Sequence, residues 1–260
     1  MKVLFTGGGT AGHINPALAA AGYLLQKEPD AQILYVGNKG GMEERLVPQA
    51  GFEIQTVHIS GFQRKLTPKN LVRNAQTVVR VFTASAEAKR IIKAFGPDVC
   101  VGTGGYVSGP VIREAAKLGI PCVIHESNAY PGVTTKMLAK SVKTVMLAVP
   151  DAKKYFDSSV NCVVTGNPVR GEVLAAERES SRKELGLDDR PVVLSFGGSL
   201  GASALNKAAA YMLAQSAKPG EYQHIHGYGS HDEKFLDEIR DLGLDVEQQP
   251  QIRLLEYINN

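Results

Sequence analysis

The chain has 260 residues, 43% of them hydrophobic and 21% charged, with a formal net charge of +3. These values are typical of a soluble globular protein with one large or two ordinary domains, and they exclude disordered and collagenous chains. Three cysteines in apolar runs favour a reducing compartment over a disulfide scaffold. The first residues are too short an apolar segment for a signal peptide, and no run of about 18 apolar residues occurs, so we expect neither a secreted nor a membrane-spanning protein.

The first predicted element is a strand over residues 2–5, which runs into the glycine loop GGGTAGH. Apolar residues then recur at helical spacing from Ile14 to Leu25, so the order is strand, glycine loop and helix. Such a loop brings backbone N–H groups to a helix N-terminus, where anions bind. His13 follows the loop directly and is a candidate catalytic residue. The alternatives are a tight turn and a purely structural histidine.

Strands alternate with helices through the first 165 residues, which predicts a parallel sheet covered on both faces. A long helix with an apolar stripe from Leu71 to Ala86 is predicted to end near residue 96. Residues 64–95 hold eight basic residues and one acid, Glu87, which favours an anionic partner or, alternatively, a solvated helix face. The remaining strands of this sheet are predicted at residues 33–36, 52–59, 99–101, 122–125, 144–147 and 162–164.

Two further strand ends carry polar groups. The segment GTGGYVSGP follows the strand at residues 99–101, and HESN ends the strand at residues 122–125. Because parallel strands end at one edge of the sheet, these groups are expected beside the first loop. Glu126 is either an acid–base candidate or a cap for the following helix. The expected neighbours are His13, Tyr106, His125, Glu126 and Asn128.

The opening pattern returns after residue 190, where a strand at residues 192–196 runs into the loop GGSLGA and a helix through Met212. Strands are also predicted at residues 223–226 and 245–248. We therefore expect α/β architecture with two doubly wound domains, residues 1–165 and a partial domain of residues 166–260, facing a cleft. Glycine N–H groups and Ser199 at a helix start suit a phosphate, which Arg170 is positioned to reach as well.

Five motifs in this order resemble the GT-B glycosyltransferases, and within them family 28: GGGTAGHINPALA, GTGGYVSGP, IHESNAYPGVTTKMLAK, TGNPVR and FGGSLGASALN. The match runs from Met1 to about Ile258. The resemblance implies an inverting enzyme that moves GlcNAc from UDP-GlcNAc to the MurNAc of undecaprenyl-pyrophosphoryl-MurNAc-pentapeptide (lipid I), giving lipid II. Family members continue beyond residue 260, so this chain alone is expected to be weakly active, with its donor domain truncated.

The resemblance also assigns residues. His13 and Glu126 are the acid–base candidates. The implied substrate-binding residues are Thr10, Ala11, Gly12, Tyr106, Asn128, Arg170, Ser199 and Ile258. Ala11 and Leu200 depart from the glycine and glutamine common at these positions in the family. A membrane-facing surface is expected at Lys65, Lys69, Leu71, Arg73 and Phe82.

By the same resemblance, the enzyme is expected to attach peripherally to the anionic inner leaflet on the cytoplasmic side of the cell membrane. Its role there is in cell-wall synthesis, cell shape and cell division, with other cell-wall synthesis proteins as partners. No metal, cofactor or nucleic acid is expected.

Three rival functions remain open from the sequence. One is a sugar-nucleotide epimerase with the same two-domain layout, and another is a non-catalytic, membrane-binding half of a split transferase. A nicotinamide-dependent dehydrogenase is disfavoured, because Gly37-Asn38-Lys39 supplies no carboxylate for a ribose at the end of the second strand.

Overall fold

A computed structural model describes residues 1–61, 68–215, 221–230 and 234–258, with the side chains of residues 68–79 and 215 left undescribed. Its first compact unit is built on seven parallel strands in the order β3-β2-β1-β4-β5-β6-β7. The strands are β1 (Lys2–Thr6), β2 (Gln32–Asn38), β3 (Glu53–Val57), β4 (Val99–Gly102), β5 (Cys122–Glu126), β6 (Thr144–Leu147) and β7 (Cys162–Val164). The helices are α1 (Ala11–Lys27), α2 (Glu43–Gln49), α3 (Pro68–Phe95), α4 (Ser108–Lys117), α5 (Val133–Leu138) and α6 (Gly171–Ala175).

The central strand β1 shows why this sheet is buried on both faces. Leu4 packs into the apolar cluster that includes residues of α3 and α4, whereas Val3 and Phe5 pack into the cluster that includes residues of α1. Successive side chains of a strand point to opposite faces, so an uninterrupted apolar run fills two cores at once. The predicted parallel sheet with helices on both faces is confirmed.

The second unit is smaller and holds a three-stranded parallel sheet in the order β10-β9-β8. Its elements are α7 (Arg178–Glu184), β8 (Val192–Phe196), α8 (Ser203–Gln215), β9 (Gln223–Gly227), α9 (Phe235–Asp241) and β10 (Ile252–Leu255). The predicted strand at residues 245–248 is wrong. The Asp245 side chain accepts a hydrogen bond from Glu247 N at 3.1 Å and starts a 3-10 helix, Val246–Gln248.

The boundary between the units also differs from the prediction. The first unit is Met1–Ala175 and the second is Ala176–Asn260, whereas the predicted boundary followed Thr165. The additional residues include α6, which packs against α1 and so belongs to the first unit. Among the described residues, no helix has both the length and the apolar character needed to cross a bilayer.

Candidate active site

The loops that follow β1 and β4 leave the same edge of the sheet and touch each other. Thr6 and Gly102, the last residues of the two strands, are partners in the ladder. Gly105 has a φ of +78°, and a Cβ placed on it would lie 2.1 Å from the carbonyl oxygen of Gly8. A Cβ on Gly104, whose φ is +105°, would lie 2.6 Å from His13 Nδ1. Only glycine fits at these two positions, because both the φ and the space forbid a side chain.

Hydroxyl groups beneath the first loop hold its carbonyl groups in place. Thr103 Oγ1 donates to the His13 carbonyl oxygen at 2.6 Å, and Ser108 Oγ donates to Gly104 O, in the neighbouring loop, at 2.6 Å. Tyr35 OH donates to Gly7 O at 2.9 Å. The loop therefore has a fixed backbone before any ligand arrives.

His13 is held in one tautomer by the second loop. Its Nδ1 lies 3.1 Å from Thr103 O, and a carbonyl oxygen only accepts, so Nδ1 carries the proton. In the neutral form of the ring, Nε2 then has the lone pair, and the side chain is half-buried. A neutral imidazole oriented through Nδ1–H, with Nε2 left to accept, has the arrangement of a general base.

Glu126 ends β5, is 3% exposed and is occupied by its own loop. Oε1 accepts from Asn128 N at 2.9 Å and from Asn128 Nδ2 at 2.8 Å, and Oε2 accepts from Gly132 N at 2.9 Å. Burial raises the pKa of this carboxyl, but hydrogen bonds from Thr135, Asn128 and Gly132 outweigh burial and hold the pKa below its usual range. The geometry favours the alternative in which Glu126 organises the start of α5.

His125 lies beside these groups and is 2% exposed. Its Nε2 donates to Gly166 O at 3.1 Å, which ties the end of β5 to the segment after β7. Burial is the main cause that lowers the pKa of His125, and the electrostatic influence of the nearby His13 also lowers it, so the two imidazoles are close enough to affect each other. The expected grouping of His13, His125, Glu126 and Asn128 at one sheet edge agrees with this geometry.

A buried polar layer lies beneath the first loop and was not predicted from the sequence. Glu43 is 0% exposed, and its Oε1 accepts from Asn38 N at 2.8 Å. Asn38 Nδ2 in turn donates to Tyr106 OH at 3.4 Å. Tyr106 also packs its ring against Gly9 and Gly61. Tyr106 therefore supports the first loop, and the only sequence signal for the layer is Glu43, the first carboxylate after β2.

The remaining first-unit candidates lie around the start of α1 and after β7. Thr10 is the N-cap of α1 and makes no side-chain capping bond, Gly12 is exposed, and Ala11 is buried with no positive φ. The Ala11 departure from glycine is therefore free of backbone strain. Arg170 is exposed and belongs to the first unit, where it lies 3.8 Å from Glu172, a pair that contributes little.

In the second unit, Ser199 and Ile258 lie at one edge of the sheet. Ser199 sits in the glycine loop between β8 and α8, and its carbonyl accepts from Ser230 N at 3.1 Å. A Cβ on Gly227, at the end of β9, would meet Ile258 Cδ1 at 3.1 Å. Leu200, which stands where glutamine is common in the family, lies beside Ser199 and is 43% exposed, so its side chain is not buried.

The predicted membrane surface is only partly described. Lys65 lies outside the described residues, and Lys69, Leu71 and Arg73 are placed in α3 by their backbone alone. Phe82, farther along the same helix, is 73% exposed.

The chain is similar in sequence and in fold to known proteins. Residues 3–147 match the glycosyltransferase family 28 N-terminal domain. The chain is 44% identical, over 99% of its length and 68% of the relative, to a UDP-N-acetylglucosamine–N-acetylmuramyl-(pentapeptide) pyrophosphoryl-undecaprenol N-acetylglucosamine transferase of Acetivibrio thermocellus. MurG of Acinetobacter baumannii has a TM-score of 0.65 and 30% identity over the whole chain and 69% of that structure.

A UDP-GlcNAc 2-epimerase of Neisseria meningitidis also matches in fold, with a TM-score of 0.62 and 13% identity over 99% of this chain and 73% of that structure. The fold and the loops at the strand ends thus define an α/β enzyme of the GT-B type. The sequence similarity is more specific: the chain belongs to glycosyltransferase family 28.

Proposed function

We propose that the protein transfers GlcNAc from UDP-GlcNAc to the MurNAc of undecaprenyl-pyrophosphoryl-MurNAc-pentapeptide, with inversion at the anomeric carbon. The observation that carries this proposal is the 44% identity, along 99% of the chain, to a relative that bears this activity in its name. The epimerase alternative gains nothing comparable, because 13% identity supports the shared fold alone.

His13 is the proposed base. As the acceptor hydroxyl attacks the anomeric carbon of GlcNAc, its proton passes to Nε2 of His13, and the bond from that carbon to the UDP oxygen breaks. Thr103 O holds the imidazole through Nδ1–H and stabilises the imidazolium that forms. Glu126 takes the role of a positioning residue, because its oxygens are already engaged by Asn128 and Gly132.

The negative charge of phosphate groups calls for N–H donors and cations. In the first unit, the N-terminus of α1 at residues 10–12 is proposed to bind pyrophosphate, and Asn128 and Arg170 are proposed as contacts to the donor. In the second unit, the loop at residues 197–201 and the start of α8 are proposed to bind the diphosphate of the donor, with Ile258 against its base. UDP-GlcNAc and the lipid-linked acceptor are thus the proposed substrates.

The test is transfer of radiolabelled GlcNAc from UDP-GlcNAc to a lipid I analogue. It is run with this chain and with a chain extended by the last third of the Acetivibrio thermocellus relative, and we expect the shorter chain to be weakly active. In the extended chain, His13→Ala lowers kcat by about 10²–10⁴-fold, the usual share of a general base. The matched control is His58→Ala, which removes an exposed histidine of the same unit.

Glu126→Gln separates the two candidate bases. If Glu126 only positions its loop, the pH profile of turnover in Glu126→Gln keeps the shape of the wild-type profile. The start of α5 becomes less stable in this variant. Loss of the acidic limb of that profile in Glu126→Gln, together with near-normal turnover of His13→Ala, would assign the proton transfer to Glu126 instead.

The acceptor carries a polyprenyl tail, so we also propose peripheral attachment to an anionic leaflet through the first half of α3. Exposed Arg80 and Phe82 support this, together with the basic sequence that precedes them. Changing Lys65, Lys69, Arg73 and Arg80 to glutamate is expected to abolish co-sedimentation with anionic vesicles at low salt, because each cation contributes about 1 kcal/mol near such a surface. The control changes Lys89, Arg90 and Lys93, exposed cations at the other end of α3.

A further inference from the structure

Three polar side chains of the second unit lie on one face of its sheet. Ser195 of β8 is the ladder partner of His226 of β9, and His224 lies two residues before His226 on the same face. Ser195 Oγ is 2.8 Å from His224 Nε2 and 2.7 Å from His226 Nδ1. On the other side of the ring, His226 Nε2 is 3.2 Å from Oδ1 of Asn206 in α8. We call these four side chains, His224, Ser195, His226 and Asn206, the histidine row.

The row has only one consistent hydrogen-bonding direction. Asn206 Nδ2 donates to Tyr228 O at 2.8 Å, so Asn206 Oδ1 is an acceptor and His226 Nε2 carries a proton. The neutral His226 then accepts at Nδ1, so the Ser195 hydroxyl donates to it. Ser195 Oγ is left to accept from His224 Nε2–H.

The surroundings of His224 Nδ1, at the start of the row, are consistent with this direction of hydrogen bonding. If His224 carries its proton on Nε2, its Nδ1 has only a lone pair, and this atom is buried with no hydrogen-bond partner in the described part of the chain. Burial, and to a smaller extent the neighbouring His226, lower the pKa of His224 to about 4, so the ring is neutral at pH 7. Each bond therefore points from His224 toward Tyr228 O.

The row ends beneath the glycine loop at residues 197–201. A Cβ on Gly201 would lie 2.3 Å from Tyr228 O, and one on Gly229 would lie 2.0 Å from Gly201 N. Tyr228 N and Gly229 N are bonded to Leu255 O and Glu256 O, both at 2.9 Å. The backbone at residues 228–229 is thus clamped between the loop at residues 197–201, the end of β10 and Asn206.

We infer that the histidine row is a positioning device that fixes the loop at residues 197–201 in the backbone shape that receives the diphosphate of the donor. Ser195 and the two histidines act through Asn206 and Tyr228 O and touch no substrate. Neutral, aligned hydrogen bonds in a buried layer reinforce one another, which suits a rigid support. The identity of the ligand rests on the proposed function, whereas the positioning of the loop does not.

The first test reads the row directly in this 260-residue chain. Long-range proton–nitrogen NMR at pH 7 distinguishes the two histidine tautomers, and we expect Nε2–H for both His224 and His226. In Ser195→Ala, His226 keeps this tautomer because Asn206 still accepts from it, whereas the ring of His224 loses the one hydrogen-bond partner it has among the described residues and populates both forms. An Nδ1–H tautomer at His226 in the wild type overturns the inference.

The second test reads the loop. Asn206→Asp keeps the acceptor for His226 but removes the donor to Tyr228 O, so the amide signals of Gly198 and Gly201 are expected to shift. Lys207→Ala, an exposed neighbour on α8, is the matched control and leaves them in place. Amide signals in Asn206→Asp that match the control overturn the positioning role.

Titration with UDP separates this inference from the proposed function. We expect Asn206→Asp to weaken UDP binding at least about tenfold relative to wild type and Lys207→Ala. Equal UDP affinity in Asn206→Asp and wild type overturns the link between the row and the ligand. The titration uses the extended chain of the transfer assay. If wild type shows the expected tautomers and Asn206→Asp shows the loop shifts, but wild type binds no UDP, the result counts against the proposed donor and upholds the row as the support of this loop.

Discussion

Gly105 and Gly119 form a matched pair for measuring how tightly the two first-unit loops are joined. Both have a φ of +78°. A Cβ on Gly119 meets nothing within 4 Å, whereas one on Gly105 lies 2.1 Å from Gly8 O. Alanine at either position carries the same left-handed backbone strain, about 1–2 kcal/mol. The difference between the two variants therefore isolates the contact between the loops.

The contact at Gly105 is with backbone, so no side-chain rotation relieves it. The loops must move apart, and overpacking of this kind typically costs about 1–3 kcal/mol in addition to the strain. We expect Gly105→Ala to lower the free energy of unfolding of the first unit by about 2–5 kcal/mol, against about 1–2 for Gly119→Ala.

Urea unfolding followed by resolved NMR signals of first-unit methyl groups measures this difference without interference from the second unit. The same spectra report whether the amide of Gly8 shifts in Gly105→Ala. Equal destabilisation by the two substitutions, with Gly8 unmoved, would refute the close contact between the loops.

Three further predictions follow from single residues. Arg170→Ala and Ser199→Ala each raise KM for UDP-GlcNAc in the extended chain with little change in kcat; unchanged donor KM with weakened acceptor binding would reverse the assignment of the units. His224 has a folded pKa of about 4, so its contribution is complete above its unfolded pKa and is lost as the pH falls toward 4. Between pH 7.5 and pH 5 the second unit therefore loses about 2 kcal/mol that His224→Gln does not lose, measured by urea unfolding. Cys162, half-buried, reacts with a thiol reagent in the native protein before the two buried cysteines do, as mass spectrometry of partly labelled chains will show.

Strands were the most predictable part of the fold. Those at residues 144–147, 162–164 and 192–196 match the structure to the residue, because each is an apolar run that stops at polar or glycine residues. The failure at residues 245–248 has a local cause: Asp245 bonds the backbone two residues on, and the strand begins only at Ile252. Helices α2, α5 and α9 span two turns or fewer, too few residues to show an apolar period.

The sequence predicted the position of the candidate site but not the roles of all its residues. Glycine loops that follow strands marked its position, and parallel strands explained why His13 and His125 meet. The roles of Glu126 and Glu43 depend on which N–H groups surround each carboxylate, which a linear pattern does not contain. Similarly, the histidine row requires the register that sets Ser195 opposite His226.

The hydroxyl groups of Thr103, Ser108 and Tyr35 beneath the first loop have a thermodynamic consequence. A glycine-rich loop normally loses much conformational entropy when it closes on a ligand. Here three hydrogen bonds, to the carbonyls of Gly7, His13 and Gly104, restrict the backbone of the loops beforehand. Calorimetry of ligand binding at this loop should accordingly show a small entropic penalty, and that penalty should grow in Tyr35→Phe, which frees the Gly7 carbonyl.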